Sequence, residues 1–177
     1  RPAGGGVFLV STGKEAQLEL QRKIYGASTE AEVDARFRDT LAKIPSARGA
    51  ILGAPSDVGA GYRRGANLGP EAIRTELIAK HPEMFAPGNA FGLIDIGDVF
   101  VCPQLLHDSM LSEHQLAASR ESIYPNVDPA VRAKLPVSPL SIAERALDLV
   151  FQLNPKIVPF VIGGDHSNAW PVVAAMH

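Results

Sequence analysis

One cysteine in 177 residues excludes an internal disulfide and fits a reducing compartment. Cys102 is expected to serve as a small buried apolar residue. An excess of charge of either sign is also missing: 17 Lys and Arg against 19 Asp and Glu leave a net charge of −2. That balance gives neither a nucleic-acid nor a membrane-surface footprint. No apolar run nears the roughly 20 residues of a membrane-spanning helix, and Val7 to Val10 is too short for the core of a signal peptide. A soluble, cytoplasmic protein is the expectation. The chain begins at Arg1 rather than Met, which reads as processing, trimming or an incomplete sequence. No internal repeat is evident. Apolar content is plentiful, at 46% of residues, and can fill the core of one domain of ordinary size.

Residues 1–13 are glycine-rich and expected to be mobile at their start. Two helical segments follow, so that 1–48 reads as an N-terminal helical extension. Thr29 with Glu32 marks a capping box. Val33, Phe37, Leu41 and Ile44 recur at helical spacing as a stripe that must dock, on its own domain or on another subunit. Gly49 to Ala54 reads as a short buried strand, followed by a long loop from Pro55 to Gly69. Pro70 then opens a helix, with Glu71 beside the positive end of its dipole. The loop contains Gly59-x-Gly61-x-x-x-Gly65, which raises a dinucleotide site. The spacing is off by one, however, and the glycines do not directly open the helix. An ion pair of Asp57 with Arg63 or Arg64 that holds the loop is the expectation.

Phe91 to Val99 reads as the next strand and its exit, with Asp95 and Asp98 expected to accept backbone amides in the turn. Residues 103–138, punctuated by Pro103, Pro125, Pro129 and Pro136, form the least regular part. They read as an insertion with one helical piece near Ser112 to Ile123. His107 and His114 lie there as expected surface residues. A clear helix runs from Pro139, capped by Ser138 and ended by Asn154-Pro155. Ile157 to Ile162 is a further strand, with Pro159 near its start.

That strand leads into Gly163-Gly164-Asp165-His166-Ser167, with Ser167 or Asn168 as the cap of a new helix. His166 should therefore stand at the carboxyl edge of an open sheet, where α/β proteins bind ligands. Its neutral imidazole suits Mn, Ni or Zn, and Asp165 is placed to orient or support it. Capping or packing is the competing role for a lone histidine. Asp165-His166-Ser167 is not a catalytic triad, because neighbouring side chains on a strand point to opposite faces. Strands alternating with helices predict a parallel α/β sheet. Three parallel strands are few for a finished domain. The chain also stops within the helix after the third, so it reads as the front half of something larger.

Three stretches in order resemble the ureohydrolase family of arginases, agmatinases and their relatives. Gly53-Ala54-Pro55-Ser56-Asp57, continued by Arg64-Gly65-Ala66-Asn67-Leu68-Gly69-Pro70-Glu71-Ala72-Ile73-Arg74, looks like the family's first strand and glycine-rich loop. Asp95-Ile96-Gly97-Asp98-Val99 looks like its second strand, and Gly163 to Ser167 like its first metal-binding motif. The loop is more similar to agmatinases than to arginases proper, and the likeness spans residues 49–177.

The resemblance implies an arginase-like, three-layer α/β/α fold with a parallel sheet, about half of it in this chain. It implies two divalent metal ions, Mn2+ first and Ni2+ as the alternative, with His166 ligating one of them. A metal-bridged hydroxide would attack the guanidinium carbon of a small guanidino substrate (agmatine-like, guanidinobutyrate-like or guanidine), releasing urea with an amine or ammonia. A homo-oligomer, trimer or hexamer, is implied, with neither nucleic acid nor membrane as partner. The remaining ligand motifs, Asp-x-His-x-Asp and Asp-x-Asp, would fall after His177, so this chain alone is expected to be inactive. The alternatives are a catalytically dead, ureohydrolase-like partner subunit, or a nucleotide-dependent α/β enzyme built on the Gly59 loop.

Overall fold

The computed structural model describes residues 1–7 and 11–176. In chain order its main elements are α1 (Ser11–Tyr25), α2 (Glu30–Leu41), β1 (Gly49–Ala54), α3 (Gly69–Lys80), β2 (Leu93–Asp98), α4 (Glu113–Ile123), α5 (Pro129–Arg132), α6 (Pro139–Leu153), β3 (Val158–Gly163) and α7 (Ala169–Ala175). The three strands are parallel, in the order β2-β1-β3. β1 is central and buried along its whole length, as a continuous apolar run between two covered faces should be. Ala50, Leu52 and Ala54 turn to one face, where Ala143, Leu147 and Val150 of α6 pack on them. The opposite face carries α3, with α2 against β2. The result is the partial three-layer α/β/α fold expected of the sequence.

β3 is the outer strand beside β1. Its Val158 amide donates to Arg48 O at 2.9 Å, so the next backbone position, Pro159, faces away from β1. A residue with no N–H fits there because no neighbouring strand among the described residues calls for one. Val158 and Phe160 are about half exposed.

The helical extension packs on its own domain. Val33 of α2 closes a second core with Leu20, Ile24 and Tyr25 of α1, and Phe37 meets the Tyr25 ring edge-on. The capping box at Thr29 is half made: its hydroxyl accepts from Glu32 N, but the Glu32 carboxylate takes Ser28 N instead of Thr29 N.

Four expectations are corrected. The chain start, across residues 1–7, is seated rather than mobile: Ala3, Gly4 and Gly6 are buried, and Val101 N donates to Gly6 O at 3.1 Å. Residues 8–10 lie outside the described residues. Ser138 precedes α6, but its hydroxyl makes no cap. The carboxylate of Asp108 takes the amides of Val137 and Ser138 just before the helix, and Leu106 O accepts Leu140 N in its first turn at 3.3 Å. The 103–138 segment is thereby fastened to α6. His107 belongs to that fastening and is not a free surface residue: its Nδ1 lies 2.7 Å from Ser109 Oγ, and its Nε2 lies 3.8 Å from Glu144. His114 is exposed as expected. Cys102 is only half-buried, with its Sγ 3.3 Å from Gln104 Oε1.

Tyr25 gives a test of how the chain start is held. Its hydroxyl accepts from Ala3 N at 3.0 Å. Burial, and then the charge of Asp95, pushes the phenol well above its ordinary value. The unfolded phenol ionises near pH 10, so this stabilisation is complete below that pH and lost as pH rises past it. Tyr25→Phe should cost about 1 kcal/mol at pH 8 through the lost hydrogen bond. In urea unfolding near pH 11, that deficit should shrink or reverse.

Candidate functional site

Beneath the carboxyl edge of the sheet sits a fully buried arginine. Arg74 of α3 has no exposed surface and forms a bidentate pair with Asp95, Nε to Oδ2 at 2.8 Å and Nη2 to Oδ1 at 2.9 Å. Its Nη1 bonds Asp98 Oδ1, and Nη2 also donates to Gly97 O at 3.1 Å. Asp95 and Asp98 share a face because β2 bulges. Ile51 pairs with Asp95 and Gly53 with Asp98, so one extra residue is taken up at Gly97, whose φ is +81°. Without the bulge, an odd separation would put the two carboxylates on opposite faces. Gly53 completes the arrangement, since a Cβ there would lie 1.9 Å from Asp98 Oδ1. Burial would lower the pKa of the guanidinium, but the two carboxylates outweigh burial and raise it. Burial pushes the Asp95 carboxyl upward, and Arg74 with the Gly97 amide pulls it only partly back. Asp95 accepts the Gly97 amide within the turn, as expected, whereas Asp98 takes an amide from outside it, that of Gly4 at the chain start. Their shared arginine is what sequence reasoning missed.

The loop from Pro55 to Gly69 leaves β1 above this cluster. Arg64 Nη1 bonds Asp57 Oδ1 at 2.9 Å, and Asp57 Oδ2 accepts Gly65 N at 2.8 Å, so the expected internal ion pair holds the loop. Gly61 and Gly65 adopt positive φ within it. No tight strand-to-helix turn is made, and Gly69 at the start of α3 closely approaches Gly163 O. The geometry therefore lacks the turn that a dinucleotide phosphate requires.

His166 lies where the sequence placed it, just past the carboxyl end of β3. A short 3-10 turn, His166–Asn168, follows the strand and leads into α7. The turn is fastened to the exit of β1: Gly164 N donates to Ala54 O at 3.2 Å, Asp165 N to Ser56 O at 3.0 Å, and Asn168 Nδ2 to the same Ser56 O at 3.2 Å. Gly164 permits this approach, because a Cβ would lie 2.0 Å from Ser56 O. His166 is exposed and lines an open cleft of about 260 Å³ together with Gly164, Asp165 and Asn168. It is thus not a packed core residue, and the turn is capped by Asp165 rather than by His166.

Asp165 does not orient His166. Its Oδ1 accepts the amide of Ser167 at 2.8 Å and the Ser167 hydroxyl, capping the turn, while Oδ2 is buried with no hydrogen-bond partner. Among the described residues, no group of three or more His, Cys, Asp or Glu side chains could hold a metal ion. By themselves the described residues therefore do not fit a metal pair. At the carboxyl edge of β3 they offer the accessible imidazole of His166, next in sequence to Asp165 with its unpartnered carboxylate oxygen.

The parallel sheet carries an accessible imidazole on its carboxyl edge, the edge at which open α/β sheets bind their ligands. The model of the arginase family matches residues 47–177, and the chain belongs to that family. Membership supports a hydrolase of the ureohydrolase type, in a family that generally uses paired manganese. No curated protein matches the chain. No helix among the described residues is long and apolar enough to cross a membrane.

Proposed function

We propose that the protein hydrolyses a small guanidino compound, agmatine-like, guanidinobutyrate-like or guanidine itself, to urea and an amine or ammonia. The reaction depends on two divalent cations, Mn2+ first and Ni2+ second. The observation that supports this most directly is the exposed imidazole of His166 on the cleft after the Gly163-Gly164 turn, within the stretch matched by the family. In this reading His166 is one metal ligand. Two ions need further ligands, so the proposal concerns a polypeptide that carries them, and the 177 residues alone should release no urea. Agmatinase-like specificity rests on the Arg64-Gly65-Ala66 loop.

The test is a urea-release screen over agmatine, arginine, guanidinobutyrate and guanidine, with Mn2+, with Ni2+ and after chelation. Urea should appear only with metal. His166→Ala should lose more than the ~10–100-fold that removal of an outer-shell partner costs. Full activity of that variant, or urea release by the 177-residue chain, would overturn the reading.

A further inference from the structure

We propose that residues 1–7 form a strap that positions the His166 turn from the far side of the sheet. The strap lies outside the stretch matched by the arginase family, which starts at residue 47. It is held mostly through main-chain groups. Gly4 N donates to Asp98 Oδ2 at 2.7 Å, Asp98 N to Arg1 O at 2.9 Å, and Val101 N to Gly6 O at 3.1 Å. On the helical side, Gln21 Nε2 donates to Ala3 O at 2.9 Å and Tyr25 Oη accepts Ala3 N at 3.0 Å.

The seat is cut for a backbone without side chains. A Cβ on Gly97 would lie 1.9 Å from Arg1 O, and one on Gly6 would lie 2.3 Å from Val99 O and 2.7 Å from Pro55 Cγ. Gly6 therefore rests on Pro55, the first residue after β1. The following residue, Ser56, is fully buried, and its carbonyl holds both Asp165 N and Asn168 Nδ2. The sequence of contacts is short: strap, Pro55, the Ser56 carbonyl, then the turn that presents His166. Proline with its ring-locked φ makes a stiff link in that series. Loss of the strap frees Pro55 on one side and loosens the Ser56 carbonyl that anchors the turn.

The role given to His166 rests on the proposed function. The strap itself is tested without metal or substrate, so the two readings fail separately. Amide hydrogen exchange would be measured on the parent chain and on Gly6→Val. The Val101 amide reports whether the strap has left its seat. The expected result is faster exchange at Val101, with Gly164 and Asp165 opening by roughly tenfold or more. Leu147→Ala, in the α6 core, serves as the comparison for general destabilisation. It should change those two amides no more than the rest of the sheet. If valine is accommodated and Val101 stays protected, deletion of residues 1–6 provides the same reading. Unchanged exchange at Gly164 and Asp165 with the strap displaced or deleted would overturn the proposal, as would equal opening in Leu147→Ala.

Discussion

Arg74→Met should unfold the protein or leave it close to unfolding under conditions where the parent is folded. Methionine roughly replaces the volume, but it leaves the carboxylates of Asp95 and Asp98, 5% and 3% exposed, facing each other without a cation. Removing one partner of a buried ion pair costs about 3–5 kcal/mol. A domain of this kind has only about 5–15 kcal/mol to lose. The loss here should reach the upper end, because two carboxylates are stranded and the Gly97 carbonyl also loses its donor. Urea denaturation would show it as a fall in midpoint without a change in slope. Adding Asp95→Asn and Asp98→Asn to Arg74→Met should recover part of the stability, since neutral amides are cheaper to bury than unpaired charges. A triple variant no more stable than the single one would mean that the arginine acts through shape rather than charge.

Gly164→Ala should displace the His166 turn while leaving most of the fold in place. The added methyl would lie 2.0 Å from Ser56 O and 3.3 Å from the Ala66 carbonyl carbon. Both neighbours are backbone, so neither can rotate aside. The turn must lift from β1, breaking the bonds from Asp165 N and Asn168 Nδ2 to Ser56 O. Overpacking of this kind costs about 1–3 kcal/mol. In the polypeptide carrying the further ligands that the proposed function requires, urea release should fall further than stability alone explains, by about 10–100-fold, as for lost outer-shell support of a metal ligand. Gly26→Ala is the fitting comparison. Gly26 has φ +63° but open space around it, so it should lower stability modestly and leave activity unchanged. Equal losses from the two variants would remove the special role of the turn.

The parts of the fold that were legible in the sequence are those written in local pattern. β1 shows as a short apolar run, β3 as another leading into paired glycines, and the edge position of His166 follows from them. The site was less legible wherever geometry departs from simple periodicity. Strand alternation assigns Asp95 and Asp98 to opposite faces, and only the bulge at Gly97 turns both toward α3. Arg74 sits in a helix whose other charged residues face solvent, and nothing in a 3.6-residue pattern marks one of them as buried. Asp108 holds the entry to α6 from a distant stretch of chain, while Ser138, the residue in the local capping position, makes no side-chain cap. The seat of residues 1–7 was hidden for a related reason: glycines read as freedom when taken alone, and as close approach only when their neighbours are known.

Among the described residues β3 has one unpaired side, which bears on how the 177-residue chain behaves at high concentration. A strand edge with free donors and apolar side chains is a template for adding further strands from other molecules. Pro159 removes one donor from that template, and its ring crowds a strand arriving at that point. Replacing it with valine would restore the donor beside the half-exposed Val158 and Phe160. In this 177-residue chain Pro159 thus leaves the unpaired side of β3 one donor short, on the strand that delivers His166 to the cleft.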